Sequence, residues 1–492
     1  MYSLIVAHET RTLAKTPALA WILLLLSAAI AFGAWSASAL LERQARGAAA
    51  ISQYEDGLRA QMRAELAKYE EKVKASGGTL EFAPINHAPG EGPPQATNAG
   101  AVGSETATFA VLPPAPLAAL SVGQSDITLN YVPVSMRNVI DVTKENEIEN
   151  PVNLKTGSFD IAFVVVFLLP IFILAMSYDL LSSEKERGTL AMVLAHPVTL
   201  RKLMASKLIS RFVILLAVVT ALGLGAVLSV GSALDQPATW AWFGAWLGAT
   251  LLYSLFWFAL AVLVNALGHS SATNGIVLAG AWLAFVVVVP TLVSVGATTL
   301  YPAPSRMDFT TAAREAQTAA EFERMRALDA YYYDHLELVP DAADKANDFL
   351  TLAMANSAAV EKAVMPLYEE FQAQLNRQEA AVARFQYLSP ALMMQLALNE
   401  IAGTSADRYE HFMTQVFAFH KQWTEFFAGR FLKRTPLTTA EYDLFPKFTY
   451  VEEPAGAVMA RLLPSLLGLL AVVGGVTVFA FAALRKYRVA GR

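Results

Sequence analysis

The chain has 492 residues, too many for one ordinary domain, and 55% of them are hydrophobic against 16% charged, a balance that points to membrane insertion. A formal net charge of −5 excludes the basic footprint of a nucleic-acid binder. The absence of cysteine excludes thiolate metal sites and disulfide staples, and leaves the compartment open.

Residues 1–16 mix Leu4, Ile5 and Leu13 with His8, Arg11 and Lys15, which suits an interfacial helix ahead of a membrane span. Residues 17–41 are then long enough to cross a bilayer. Their basic front and the small residues Ser36 to Ala39 also fit a cleavable signal peptide, but the length of the apolar run favours a retained anchor. A first outer segment follows over 42–157. In it Ile51, Tyr54, Leu58, Met62, Leu66, Tyr69 and Val73 recur at helical spacing, and Gly77-Gly78 ends the pattern. The Pro-, Gly- and Ala-rich stretch 84–103 reads as a linker. Ile127, Leu129 and Tyr131 alternate as a strand does, so this segment is expected to be a mixed α/β domain.

Further spans are predicted over 158–181, 208–234, 239–267, 272–296 and 455–484. Pro170 is expected to kink the second. In the third, Ala221, Gly225 and Ser229 repeat every four residues and suit close helix packing, as do Ala471 and Gly475 in the last. Trp240, Trp242 and Trp246 are expected in an interfacial aromatic belt. Residues 297–454 form a second, mainly helical outer segment, with Ser389-Pro390 starting one helix and Gly403 ending it. The tail 485–492 is basic. The expected fold is therefore an α-helical polytopic membrane protein of six transmembrane helices, both termini cytoplasmic, with two extracytoplasmic domains.

Between the second and third spans lies YDLLSSEKERGTLAMVLAHPVTLRKLMASKLISR, from Tyr178 to Arg211. Its six basic residues, Lys185, Arg187, Arg201, Lys202, Lys207 and Arg211, place this elbow inside the cell. Ser183 and Glu186 have the spacing of a capping box. Leu190, Val193 and Leu194 give the following helix one apolar side, Pro197 bends the chain, and Leu200, Leu203 and Met204 resume the pattern. Spacing alone fits an ordinary charged connector equally well.

The run EKERGTL at Glu184 to Leu190 followed by HPVTLRKL, and the longer string from Phe159, resemble ABC-2 type permeases. PLAALSVGQSD from Pro116, YPAPSR from Tyr301 and SPALMMQLALNEIAGTSADRYEHF from Ser389 are similar to a bacterial branch with two large extracytoplasmic insertions, related to permeases of gliding motility and nitrous-oxide-reductase maturation. The resemblance implies that Glu184, Lys185, Glu186, Arg187, Gly188, Thr189 and Leu190 form a coupling helix that touches an ATPase. It further implies a second permease chain, identical or a sister, set in membrane lipid, and a periplasmic or outer-membrane partner. ATP and Mg would be held by the ATPase chain, and the function would be coupling of ATP hydrolysis to substrate export or extraction toward the envelope. The large outer segments leave open an alternative, a mechanotransmission or scaffold protein that moves its outer domains against an envelope partner.

The chain has no glycine-rich phosphate loop ending in Gly-Lys-Ser/Thr, no HExxH and no Gly-x-Ser-x-Gly, so no catalytic residue is assigned. His411 and His420 lie too far apart on one helix, by roughly 13 Å of rise, to share a metal ion. Tyr409, Phe412, Val416, Phe419, Trp423 and Phe426 form an aromatic stripe that reads as core rather than as a substrate surface. Asp160 and Asp179 are expected at span ends, and Arg461 is expected to reach toward lipid headgroups.

Overall fold

The computed structural model of the chain describes residues 9–11, 17–83, 92–106, 108–126, 128–136, 159–195, 199–229, 236–302, 306–334 and 349–487. Most of the expected interfacial helix, Ile127, Pro197 and the end of the basic tail lie outside these residues. In chain order the elements begin with α1 (Pro17–Ser76), α2 (Ala99–Glu105), β1 (Thr108–Val111) and β2 (Tyr131–Val134). Then come α3 (Ile161–Glu186, with a looser turn at 178–181), α4 (Thr189–Leu194), α5 (Leu200–Ser229), α6 (Pro237–Ala266) and α7 (Ser271–Leu300). The last helices are α8 (Arg306–Phe322), α9 (Arg324–Asp334), α10 (Phe349–Phe385), α11 (Pro390–Ala402), α12 (Ala406–Leu432) and α13 (Ala455–Arg485). Six of these, α1, α3, α5, α6, α7 and α13, are long and apolar enough to cross a membrane.

The bundle core is built on α3 and α6, where Ile161, Val165, Ile173, Trp246, Tyr253 and Trp257 are all fully buried. Leu26 and Ile30 of α1 and Leu462 and Leu469 of α13 close around them. α11 joins the same core through Met393, Met394, Ala397 and Leu398, although its 13 residues are too few to span. Its start is as expected: Ser389 Oγ accepts from Leu392 N at 3.2 Å, with Pro390 at the first position and Gly403 in the left-handed conformation at the end.

The small-residue stripes lie on exposed faces of their helices. Ala221, Gly225, Ala471 and Gly475 are exposed, with nothing within 4 Å of a Cβ at either glycine. Only Ser229 meets another helix, its Oγ lying 3.2 Å from that of Ser38. The close approaches fall elsewhere: a Cβ on Gly223 would stand 2.8 Å from the Trp246 ring, and one on Gly468 would meet Met393 and Tyr387. A four-residue repeat defines a helix face, but not which neighbour that face meets. Trp246 likewise leaves the expected belt for the core, while Trp240 remains exposed.

Two of the prolines within spans follow a π-helical turn, Val164–Leu168 before Pro170 and Leu283–Val288 before Pro290. Proline has no N–H for the carbonyl of the preceding turn. In the turn before Pro170 the buried Tyr253 hydroxyl donates to Val166 O at 2.9 Å, while Trp282 Nε1 donates to Phe167 O at 3.0 Å. In α7 the Ser389 hydroxyl donates to Phe285 O. The expected kink is thus a widened turn bonded across to neighbouring helices.

The first span and the amphipathic helix after it are one helix: α1 runs 60 residues before Gly77, at φ 68°, ends it. Its far half is not the start of a separate domain. Leu66, Ala99 and Val102, strand residues Ala110, Val132 and Val134, and Phe412, Val416, Trp423 and Phe427 share one core. Both segments expected outside the membrane contribute to this one core, and Val360 and Val364 of the second form a further cluster with Ala316 and Tyr368. Arg63 holds Asp443 through paired bonds of 2.9 and 2.8 Å, and Glu70 binds Thr439 N and Oγ1 at 2.8 Å each. β1 and β2 pair antiparallel with Thr108 opposite Val134 and Val111 opposite Tyr131, so the strand starts beyond Leu129. Part of the expected linker is ordered: Asn98 Oδ1 caps α2, and Gly100 and Gly103 lie against Phe431 and Phe427. Small residues there serve helix contact rather than freedom of the chain.

Candidate functional site

The elbow closes one end of the bundle. Leu190, 2% exposed, packs with Leu180, Leu181, Leu203, Met204, Val262, Ala266, Ala480 and Leu484, and Val193, Leu194 and Leu200 border them. The expected apolar side is therefore the face by which α4 is held on α3, α5, α6 and α13.

The charged turn is fastened by its own side chains. Glu184 Oε1 takes an ion pair of 2.6 Å from the buried Lys207 of α5, which also donates to Leu180 O at 3.0 Å. Lys185 Nζ donates to Gly268 O at 3.2 Å, in the turn between α6 and α7, and stands over the Tyr487 ring. Glu186 accepts from Ser271 N at 2.7 Å and from its hydroxyl at 3.0 Å, at the first turn of α7. There it favours the helix start by charge as well as by hydrogen bond.

Ser183 and Glu186 thus form no capping box. Ser183 Oγ donates to Asp179 O at 2.9 Å, because the turn continues α3 and its amides already have carbonyls of the preceding turn. Gly188 adopts φ 72°, a left-handed backbone that separates α3 from α4. Among the described residues nothing lies within 4 Å of a Cβ there, and the left-handed backbone itself explains the glycine. Arg187, Gly188 and Thr189 are exposed, and so is Met192 at 70%.

Beneath the turn lies a polar network that spacing did not single out. Asn265 Oδ1 accepts from Leu181 N at 3.2 Å, its Nδ2 donates to Ser177 O at 3.0 Å, and Asn274 Nδ2 reaches Ser182 Oγ at 3.3 Å. Ser271 Oγ lies 2.8 Å from Ser182 Oγ. These bonds tie α3, α6 and α7 together at the elbow. The available signal was asparagine within apolar runs, a placement seldom tolerated without partners.

The remaining expectations divide. Asp160 caps α3, accepting from Phe163 N and Val122 N at 2.7 Å each. Arg461 does not reach outward: it pairs with Glu453 at 2.6 Å, Glu400 at 3.2 Å and Asp407 at 3.6 Å, since α11, α12 and the residues before α13 each bring a carboxylate to it. The aromatic stripe of α12 is core, with Phe412, Val416 and Trp423 fully buried. Among the described residues no three His, Asp or Glu side chains are grouped as a metal site.

A family model described as "ABC-2 family transporter protein" matches residues 4–484. The chain is also similar to "Probable ABC transporter permease protein NosY" of Pseudomonas aeruginosa, 27% identical over 129 residues. That match covers 25% of this chain and 46% of the relative, so it spans less than half of the curated protein's length.

Proposed function

The chain belongs to the ABC-2 transporter family, and from that premise we propose that it is a permease subunit whose elbow, Glu184–Leu190, receives the motion of a separate ATPase chain. The protein is a multi-pass protein of the inner membrane. The exposed Arg187, Arg201 and Lys202, with Arg485 and Lys486 at the same end, support placing the elbow and both termini in the cytoplasm. The opposite end, with the merged outer domain, then faces the periplasm.

One observation carries the reading. The elbow's inward side chains grip three spans, through Lys207 of α5, Gly268 after α6 and Ser271 of α7, while Arg187, Thr189 and Met192 face away. A displacement at the exposed side is thereby handed to α5, α6 and α7 together. ATP and Mg bind the partner chain, and closure of an ATPase pair supplies the push. Two ATPase subunits call for two permease chains, identical or sister.

The geometry separates docking residues from structural ones. Glu184→Ala strands the buried Lys207 ammonium and should lower stability by roughly 3 kcal/mol. Arg187→Glu and Met192→Glu change exposed side chains and should leave the melting temperature within about a degree. Both should nonetheless reduce stimulation of the co-purified ATPase by roughly tenfold or more. Full stimulation in both variants would remove the elbow from the docking surface. Stoichiometry of the native complex would distinguish one permease from two.

A second reading, motion passed to a periplasmic or outer-membrane partner without solute crossing, is favoured by the unbroken course of α1 from the bundle into the outer domain. In either case the product of ATP hydrolysis is a movement, and no catalytic group is required of this chain.

A further inference from the structure

At the outer end of the molecule a cleft of about 770 Å³ opens between α10 and α12. Its walls are Met365, Tyr368, Phe371, Tyr409, Met413 and Phe417, with Gln124 and Leu129 from the first outer segment at one side. Tyr368 and Phe417 meet edge to face, ring centres 5.5 Å apart, which fixes one wall. The volume lies in the range of small-molecule sites, and the lining has their usual apolar and aromatic character.

The charge on the cleft is one-sided. Glu369, Glu379 and Glu410 line it, and among the described residues no lysine or arginine does. Another cavity, about 460 Å³ beside Arg408 and Arg461, differs on this point. There Arg408 pairs with Glu452, and Arg461 with Glu400 and Glu453, so its charges are matched within the chain. In the α10–α12 cleft the carboxylates repel one another instead: partial burial, then Asp407 and Glu410, push the Glu379 carboxyl above the usual carboxylate range.

We propose that the α10–α12 cleft is a binding site for an organic cation with an aromatic or alkyl body. The carboxylates do not converge as metal ligands, so a metal ion does not fit them. A larger cation with spread charge does: its body lies between Tyr368, Phe371 and Tyr409, whose ring faces attract positive charge, and its cationic end meets the glutamates at the rim. Met365 and Met413 adapt in shape to such a body. The site stands on the cleft alone and does not depend on whether the chain moves a solute.

The test uses the full chain in phosphatidylcholine nanodiscs without any ATPase, so its outcome is independent of the elbow's role. Equilibrium dialysis with (4-phenylbutyl)trimethylammonium, corrected for empty discs, is compared with 4-phenylbutylsulfonate, which carries the same body with opposite charge. The expected result is saturable binding of the cation and none of the anion. Glu379→Gln with Glu410→Gln should weaken cation binding by roughly tenfold without changing the fold, and Tyr409→Ala should weaken it comparably. Glu425→Gln, elsewhere on α12, should change nothing. Equal binding of cation and anion, or unaltered cation affinity in the double glutamine variant, would overturn the proposal. If Tyr409→Ala disturbs folding, the glutamine pair, which preserves shape, decides.

Discussion

Glu400 shows how burial and pairing compete at a single carboxyl. It sits at the end of α11 and accepts from Arg461 Nε at 3.2 Å, which favours its charged form. Burial outweighs the arginine, Asp407 adds like charge, and the carboxyl is pushed up to about 7. The folded state therefore holds the proton more tightly than the unfolded chain does. The resulting stabilisation is complete below the ordinary carboxylate pKa and is lost as pH rises through about 7. Glu400→Gln mimics the protonated form at every pH. The parent's melting temperature, taken relative to that variant, should fall between about pH 5 and about pH 8. A constant difference across thermal scans in that range would contradict the raised pKa. This site was only half legible in the sequence. Arg461 announced an interface, but two of its three carboxylates, Glu400 and Asp407, come from distant stretches that only the fold brings together.

Among the elements, the π turn of α3 makes the clearest case for a sequence feature that needs its neighbours. Pro170 was readable as a kink. Its surroundings were not, because the Val166 carbonyl in the turn before it is bonded by a tyrosine from α6. Tyr253→Phe removes that donor and should destabilise the protein by about 1–3 kcal/mol. Pro170→Ala restores an amide to that turn and lets its carbonyls bond within α3, so the double variant should lose less than the two single losses combined. A double-mutant cycle read by thermal unfolding measures this, and strict additivity would show that the hydroxyl and the proline act apart. The other elements divide by a similar logic. Hydrophobic length placed the spans, and the caps of α11 were legible from Ser389, Pro390 and Gly403. The Ser183–Glu186 box failed because the carbonyls bonding its amides belong to the continuing helix, and the linker around Ala99 failed because composition does not reveal a buried partner such as Phe431.

At the scale of the molecule, α1 is the one described helix that belongs to both the bundle core and the outer core, through Leu26 and Ile30 at one end and Leu66 at the other. Sixty residues of helix extend ~90 Å, so a rotation imposed near Pro17 must appear at Ser76 unless the helix bends between. Gly47 and Gly57 are the places where bending is cheapest, since each lacks a Cβ and has nothing within 4 Å of where one would stand. The chain has no cysteine, so spin labels can be placed singly at Arg43→Cys and Glu71→Cys, both on exposed positions that flank the glycines. A straight helix puts these backbone positions roughly 42 Å apart. A single narrow distance near that value, unchanged when the proposed ATPase partner is trapped with nucleotide, is the result expected of a rod that carries motion along its length. Gly57→Pro removes an N–H and clashes with the preceding turn, so it should broaden and shorten the distribution while the bundle core stays folded. A parent distribution already as broad as that of the proline variant would mean that α1 tethers the outer domain without driving it, and the movement would have to pass through the contacts of α11 with α6 and α13.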